Sequence, residues 1–167
     1  MDMNYCMQCG TRLIIREHRD EGPTPYCEEC KEYRYPVFNT AVSMIVTNRK
    51  RDALLLIRQY SRPFYILTAG YVNKGEDAEN AARREIQEEL GMTVEELHFN
   101  RSHYFAPSNT LMLNFTATVA EDAAHPNWEV DDWHWFSVLE ALQQVKPNSL
   151  AEAFLKGYLT GQYCFPF

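Results

Sequence analysis

Apolar positions along the chain follow two periods, and each period predicts a different kind of element. Between Asp77 and Gly91 they recur every fourth residue, at Ala78, Ala82, Ile86 and Leu90. That spacing puts them on one ridge of an α-helix. The run from 78 to 90 holds no Gly or Pro, Asp77 is a favoured N-cap, and Gly91 is a favoured C-terminal stop. Elsewhere the pattern is that of strands. Thr40 to Thr47 and Ala53 to Gln59 are dense in β-branched and apolar residues, with a polar turn at 48–52 between them. Phe64 to Thr68 reads as a short third strand. Glu96 to Phe105 and Thr110 to Val119 read as an antiparallel pair. In the second of these, Leu111, Leu113, Phe115, Ala117 and Val119 alternate with Met112, Asn114, Thr116 and Thr118, which predicts a half-buried strand. An acidic loop over 121–132 leads to a short strand, Trp133 to Phe136, whose two tryptophans fall on one packed layer. Ser137 and Glu140 have capping-box spacing and open a helix reaching about Val145. Ser149 caps a last helix from Leu150 to about Leu159. Strands mixed with helices predict an α/β domain with helices on both faces of a mixed sheet.

The first 38 residues fit neither period. They contain Cys6 and Cys9, then Cys27 and Cys30, two CxxC pairs at the spacing of a tetrahedral four-thiolate zinc site. Gly10 follows the first pair, where a knuckle needs positive φ. Gly22-Pro23-Thr24-Pro25 predicts a turn between the pairs. So short a segment buries too little surface to fold alone, and a metal is the expected staple. Disulfides are the competitor in an oxidising compartment, and a redox CxxC is the other. Four thiolates leave no open coordination position, so the zinc is expected to be structural. Cys164 stands apart as a free thiol. The chain is therefore divided into a zinc ribbon, 1–38, and a main domain, 39–167.

The helix from 78 to 90 carries the chemistry. At about 100° per residue, Glu85 and Glu89 lie at the edge of its apolar ridge, with Glu88 further round. Like charges three and four apart disfavour the helix by about 0.2–0.5 kcal/mol per pair. Half-burying unpaired carboxylates costs more. Divalent ions would offset both, since Mg²⁺ takes one or two carboxylates together with substrate phosphates. The alternative is an acidic face left to solvent.

The stretch Gly70 to Met92, GYVNKGEDAENAARREIQEELGM, resembles the Nudix box at each of its defining positions, from Gly70 and Glu76 through Arg84 and Glu85 to Glu88, Glu89 and Gly91. With a ribbon in front, KEYRYP at the link and LTAGYV before the helix, residues 6 to 137 resemble the NADH pyrophosphatase branch of the Nudix family. The resemblance implies a Nudix-type α/β/α sandwich preceded by a zinc ribbon. It implies that Glu85, Glu88, Glu89, the backbone carbonyl of Ala69, and Glu129 hold catalytic Mg²⁺ or Mn²⁺. Asp132 occupies a second acidic position near the substrate. Arg84 would orient the glutamates, Glu76 would organise the loop, and Gly70 and Gly75 would let the backbone turn near the phosphates. Tyr71 stands where the family has a Phe for base stacking. The branch's SQPWPFPQS segment corresponds to Ser102 to Thr110, which keeps the length, the first Ser and aromatics including Phe105. His103 stands where the family has Gln and would meet substrate, or would be an ordinary polar residue at a strand end.

The activity so implied is hydrolysis of a pyrophosphate bond, with an NAD(H)-like dinucleotide giving NMN(H) and AMP. ADP-ribose and FAD are the alternative substrates, and a nucleotide-sensing module without turnover is the alternative class. The net charge of −7 over 167 residues argues against broad nucleic-acid or anionic-membrane binding, which calls for basic patches. NAD-capped RNA stays open as a substrate of relatives in that branch. A homodimer is an expectation of the resemblance alone. No apolar run resembles a signal peptide or a membrane span, so a cytoplasmic, soluble protein is expected.

Overall fold

A computed structural model describes residues 3 to 165 of the chain. They fall into two compact units, one ending at Phe38 and one beginning at Asn39.

The first unit is a three-stranded antiparallel sheet of β1 (Ile14–His18), β2 (Gly22–Cys27) and β3 (Glu32–Tyr33). The reverse of direction lies over Arg19 to Gly22, with Gly22 at φ +71°. Pro23 and Pro25, read above as part of a turn, instead stand inside β2. The Pro25 carbonyl accepts from Arg34 N at 2.8 Å, so these alternate residues face the side of the very short β3. Their missing N–H groups therefore cost the β1 ladder nothing.

The second unit is built on β4 (Asn39–Thr47), which has neighbours along both edges. Further strands are β5 (Ala53–Gln59), β6 (Thr68–Tyr71), β7 (Val94–Phe105), β8 (Thr110–Val119) and β9 (Val130–Ser137). The order is β7-β8-β4-β5-β9, with β4 and β8 parallel. β5 pairs with β4 only at Val46 and Thr47. The vacant edge from Ala41 to Met44 is taken by β6. This explains a shift from the expected strand at 64–68. Residues before Thr68 make only single bridges, Ile66 with Ile57 of β5 and Tyr65 with Val145 at the end of the second helix. β9 begins at Val130, before the expected Trp133, because its pairing with β5 runs on through a bulge to Gln59.

Helix α1 (Ala78–Leu90) covers one face, and α2 (Val138–Gln144) and α3 (Leu150–Thr160) cover the other. On the α1 face Val42, Met44, Leu55, Ile57, Ile86, Leu90 and Phe115 form one core. Trp133 and Trp135 pack on it, whereas Trp128 is 82% exposed. On the other face Ile45, Leu54, Leu56, Phe154 and Leu155 form a second core. This two-sided cover buries β8 on both faces, beyond the half-burial read from its alternation. Its polar residues are satisfied across strands: Asn114 donates to the Ser43 carbonyl at 3.1 Å, and the Thr47 and Thr118 hydroxyls pair at 3.2 Å.

The caps match local sequence. Asp77 accepts from Asn80 N, Gly91 closes α1 at φ +65°, Ser137 and Glu140 complete a capping box, and Ser149 caps α3. Among the described residues no helix is long and apolar enough to cross a membrane.

Candidate functional site

Helix α1 presents its carboxylates to β6 and the end of β5. Glu89 is 4% exposed. One oxygen, Oε1, accepts from Gln59 Nε2 at 2.8 Å, and the other, Oε2, is buried with no partner. Burial pushes the Glu89 carboxyl up to about 7, and the charges of Glu85, Glu129 and Glu88 add to this against the Gln59 bond. An ionised carboxylate held so has an unmet need for positive charge. Thr68 Oγ1, on the same face by its register with Met44, is also buried without a partner.

Arg84 ties the rest of the helix face together. Its Nε and Nη2 donate to Glu76 at 2.8 and 3.0 Å, and its Nη1 donates to Glu85 at 2.7 Å and Glu88 at 2.9 Å. Nη2 also reaches the Tyr71 carbonyl at 3.0 Å. The Arg84 guanidinium, with the bond from Asn73 N, holds the Glu76 carboxyl below its ordinary range. Gly70 does not turn the backbone, since it lies in β6 and its φ is not positive. It is needed for space: a Cβ there would overlap the Glu85 carboxylate. Gly75, at φ +86°, is the turning residue.

Glu129 reaches the site from the loop before β9 and accepts from the Tyr60 hydroxyl at 3.0 Å. Asp132 does not join it. Its register with Arg58 turns it to the opposite face, where Arg58 and Tyr65 both donate to it. Those donors keep its carboxyl low. Tyr71, His103 and Phe105 share that opposite face by their pairing with Ala41, Met112 and Thr110. His103 is stacked on Phe165, with centroids 3.8 Å apart.

Several residues of the site were not singled out in the sequence. A pocket of about 370 Å³ opens on the α3 face, floored by Ser43, Leu67, Ala69 and Met112, with Phe64 and Ala151 on its walls. Gln59 lines it and also bonds Glu89, so one side chain joins pocket to carboxylate. The turn after β5 is formed by Tyr60 at φ +55° and Ser61 at φ +54°, closed by Arg62 N on the Gln59 carbonyl at 3.2 Å. Such a conformation is uncommon for non-glycine residues. The sequence signal was the polar pair Arg58-Gln59 ending a strand that is apolar from Ala53 to Ile57.

In the first unit the four cysteine sulfurs lie within 4.8 Å of one another, with Cys6–Cys30 at 3.8 Å and Cys9–Cys27 at 3.4 Å. Thiolates about 2.3 Å from a tetrahedral metal stand ~3.8 Å apart, so the set fits a metal. Arg34, donating from Nε at 3.3 Å, lowers the Cys6 thiol to about 6, whereas its cysteine neighbours push Cys30 up to about 12. Four thiolates so close need a cation among them.

The profile of the NUDIX domain matches residues 37–155. The chain belongs to the NUDIX family. Its NUDIX fold is shared with a NUDIX hydrolase from Nitrosomonas europaea, at TM-score 0.63 and 22% identity over 98% of this chain and 96% of that one. Among curated relatives, the NAD-capped RNA hydrolase NudC of Pseudomonas aeruginosa is 32% identical over 93% of this chain and 55% of its own length. That of Vibrio parahaemolyticus is 27% identical over 92% and 58%. The chain thus spans a little over half the length of these relatives.

Proposed function

We propose that the chain is a metal-dependent hydrolase of the pyrophosphate bond in a nucleoside diphosphate derivative, with an NAD(H)-like dinucleotide split to NMN(H) and AMP. The observation that carries this is Glu89: a buried carboxylate with an unpartnered oxygen, among three further glutamates, joined through Gln59 to a pocket of nucleotide-base dimensions. In this reading Glu85, Glu88, Glu89, Glu129 and the Ala69 carbonyl hold Mg²⁺ or Mn²⁺. Such ions neutralise pyrophosphate oxygens and make water more acidic. Glu88, more exposed than Glu85 and Glu89, or Glu129 takes the proton of the attacking water. Arg84 fixes the helix carboxylates, Tyr60 fixes Glu129, and the pocket seats one base with its apolar floor and the Phe64 ring. Zn²⁺ in the four-cysteine site has a structural role. The NudC relatives support the NAD-type substrate, and an RNA-linked NAD belongs to the same chemistry. Cytoplasmic location and a homodimer are parts of the same reading.

A second substrate reading, ADP-ribose or FAD, is favoured by His103. Where the branch has Gln, this residue is stacked on Phe165. The test is a panel of NADH, NAD⁺, ADP-ribose, FAD and a diadenosine polyphosphate with Mg²⁺ and Mn²⁺, products read by chromatography. The expected result is AMP from NADH at the highest rate. A higher rate on ADP-ribose or FAD moves the substrate to the second reading. A nucleotide that raises the melting temperature without being cleaved would leave a sensing module.

A further inference from the structure

The pocket on the α3 face carries more positive charge than a neutral base requires. Arg62 and Lys146 both line it. Neither side chain has a hydrogen-bond or ion-pair partner among the described residues. Several cations of the same unit are ion-paired, Arg49 with Glu95, Arg51 with Glu96, Arg58 with Asp132 and Lys156 with Glu152, whereas Arg62 and Lys146, like Lys50 and Lys74, are not. What sets Arg62 and Lys146 apart is that both line this one pocket. Both are exposed, and two cations lining one cavity favour an anion there.

Backbone geometry holds both where they are. Arg62 is delivered by the left-handed Tyr60-Ser61 turn, a conformation that persists where surroundings over-determine it. Lys146 is held by its N–H on the Tyr65 carbonyl at 2.9 Å. The pyrophosphate does not need these two groups. It would lie against the α1 carboxylates, where divalent ions meet its charge, whereas Arg62 and Lys146 line the pocket that Gln59 joins to Glu89.

We propose that Arg62 and Lys146 form a second anion subsite, for a phosphate on the ribose of the nucleotide whose base fills this pocket. The inference rests on the functional reading above and narrows its substrate class. Preferred substrates are nucleoside diphosphate derivatives bearing a 2′- or 3′-phosphate on that sugar. Guanidinium and ammonium groups together suit a doubly charged monoester better than a singly charged diester.

Equilibrium binding without divalent metal tests this apart from catalysis. Adenosine 2′,5′-bisphosphate, adenosine 3′,5′-bisphosphate, AMP, and AMP extended by one 3′-linked nucleotide are titrated calorimetrically into the whole chain. One bisphosphate is expected to bind at least tenfold more tightly than AMP, and the arm that wins identifies the 2′ or 3′ position. In Arg62→Ala/Lys146→Ala, and in the shape-keeping Arg62→Gln/Lys146→Met, the ratio is expected to fall to about one. Equal affinities in the wild type would overturn the proposal. So would a ratio that survives both double variants, an equal loss for AMP and bisphosphate, or a preference for the diester alone. Turnover of NADH with Mg²⁺ is followed in parallel: its absence would count against the hydrolase reading, while the binding ratio still decides the subsite.

Discussion

Glu89 links burial and proton affinity in one side chain, and the proposed function adds a metal to them. Its folded carboxyl sits near 7 against an ordinary 4.5. A group raised in the folded state adds no penalty below about pH 4.5, where it is neutral folded or unfolded. The penalty grows as pH rises to about 7, because the folded state must then ionise a buried oxygen. In metal-free protein, Glu89→Gln is therefore expected to gain stability over the wild type by on the order of 3 kcal/mol between pH 4.5 and 8. Mg²⁺ should remove most of that difference. Denaturant unfolding at several pH values checks it, and a pH-independent difference would speak against the buried, unpartnered oxygen. Gly70 offers the complementary test. Its backbone accepts any residue, but a Cβ displaces the Glu85 carboxylate. Gly70→Ala should cost about 1 kcal/mol or less, because the displaced atoms end a flexible side chain, yet lower turnover by about two orders of magnitude. This is the pattern of a misplaced catalytic group.

Among elements, the strained turn after β5 is the most informative. Ser61 stands at φ +54°, its N–H donating to Asp131 Oδ2 at 2.6 Å, a bond that any residue's backbone can make. Glycine there relieves the backbone, so Ser61→Gly is expected to raise the unfolding free energy by about 0.5–1 kcal/mol. A drop in stability would mean that the Ser61 side chain supports the turn. This turn also marks the limit of what the sequence made legible. Helix α1, its Asp77 and Gly91 caps and the Ser137–Glu140 capping box were readable because each depends on residues within a turn of one another. The β7–β8 pair was readable from alternation. The register of β6 was not, because it depends on the edge of β4 that β5 leaves bare. Gln59 and Tyr60 were not, because their partners lie far along the chain, and Lys146 was not, because the pocket it lines is assembled from distant segments. The face that Asp132 occupies was not legible either: strand parity puts it opposite the acidic helix, with Arg58 and Tyr65.

At the scale of the whole molecule, the proposed reading divides the labour between two metals, one in each unit. The four-cysteine unit has a sheet of three short strands and few buried apolar residues. Its folding should depend on the metal. Elemental analysis is expected to find about one zinc per chain, lost in Cys27→Ser together with order in residues 3–38. A zinc-free wild type with an ordered first unit would refute that role. The acidic charge of the whole chain fits a small nucleotide brought in through divalent ions better than capture of a nucleic-acid backbone. The central claim is that the α1 carboxylates work through bound divalent metal on a pyrophosphate. The most direct measurement is the rate of AMP release from NADH with Mg²⁺, for wild type and for Glu89→Gln, with the melting temperature of each. The account predicts metal-dependent release of AMP and NMNH, at least a thousandfold slower in the variant, with the fold retained. Equal rates in the two proteins, or no AMP from a folded wild type on any diphosphate derivative of the panel, would contradict it.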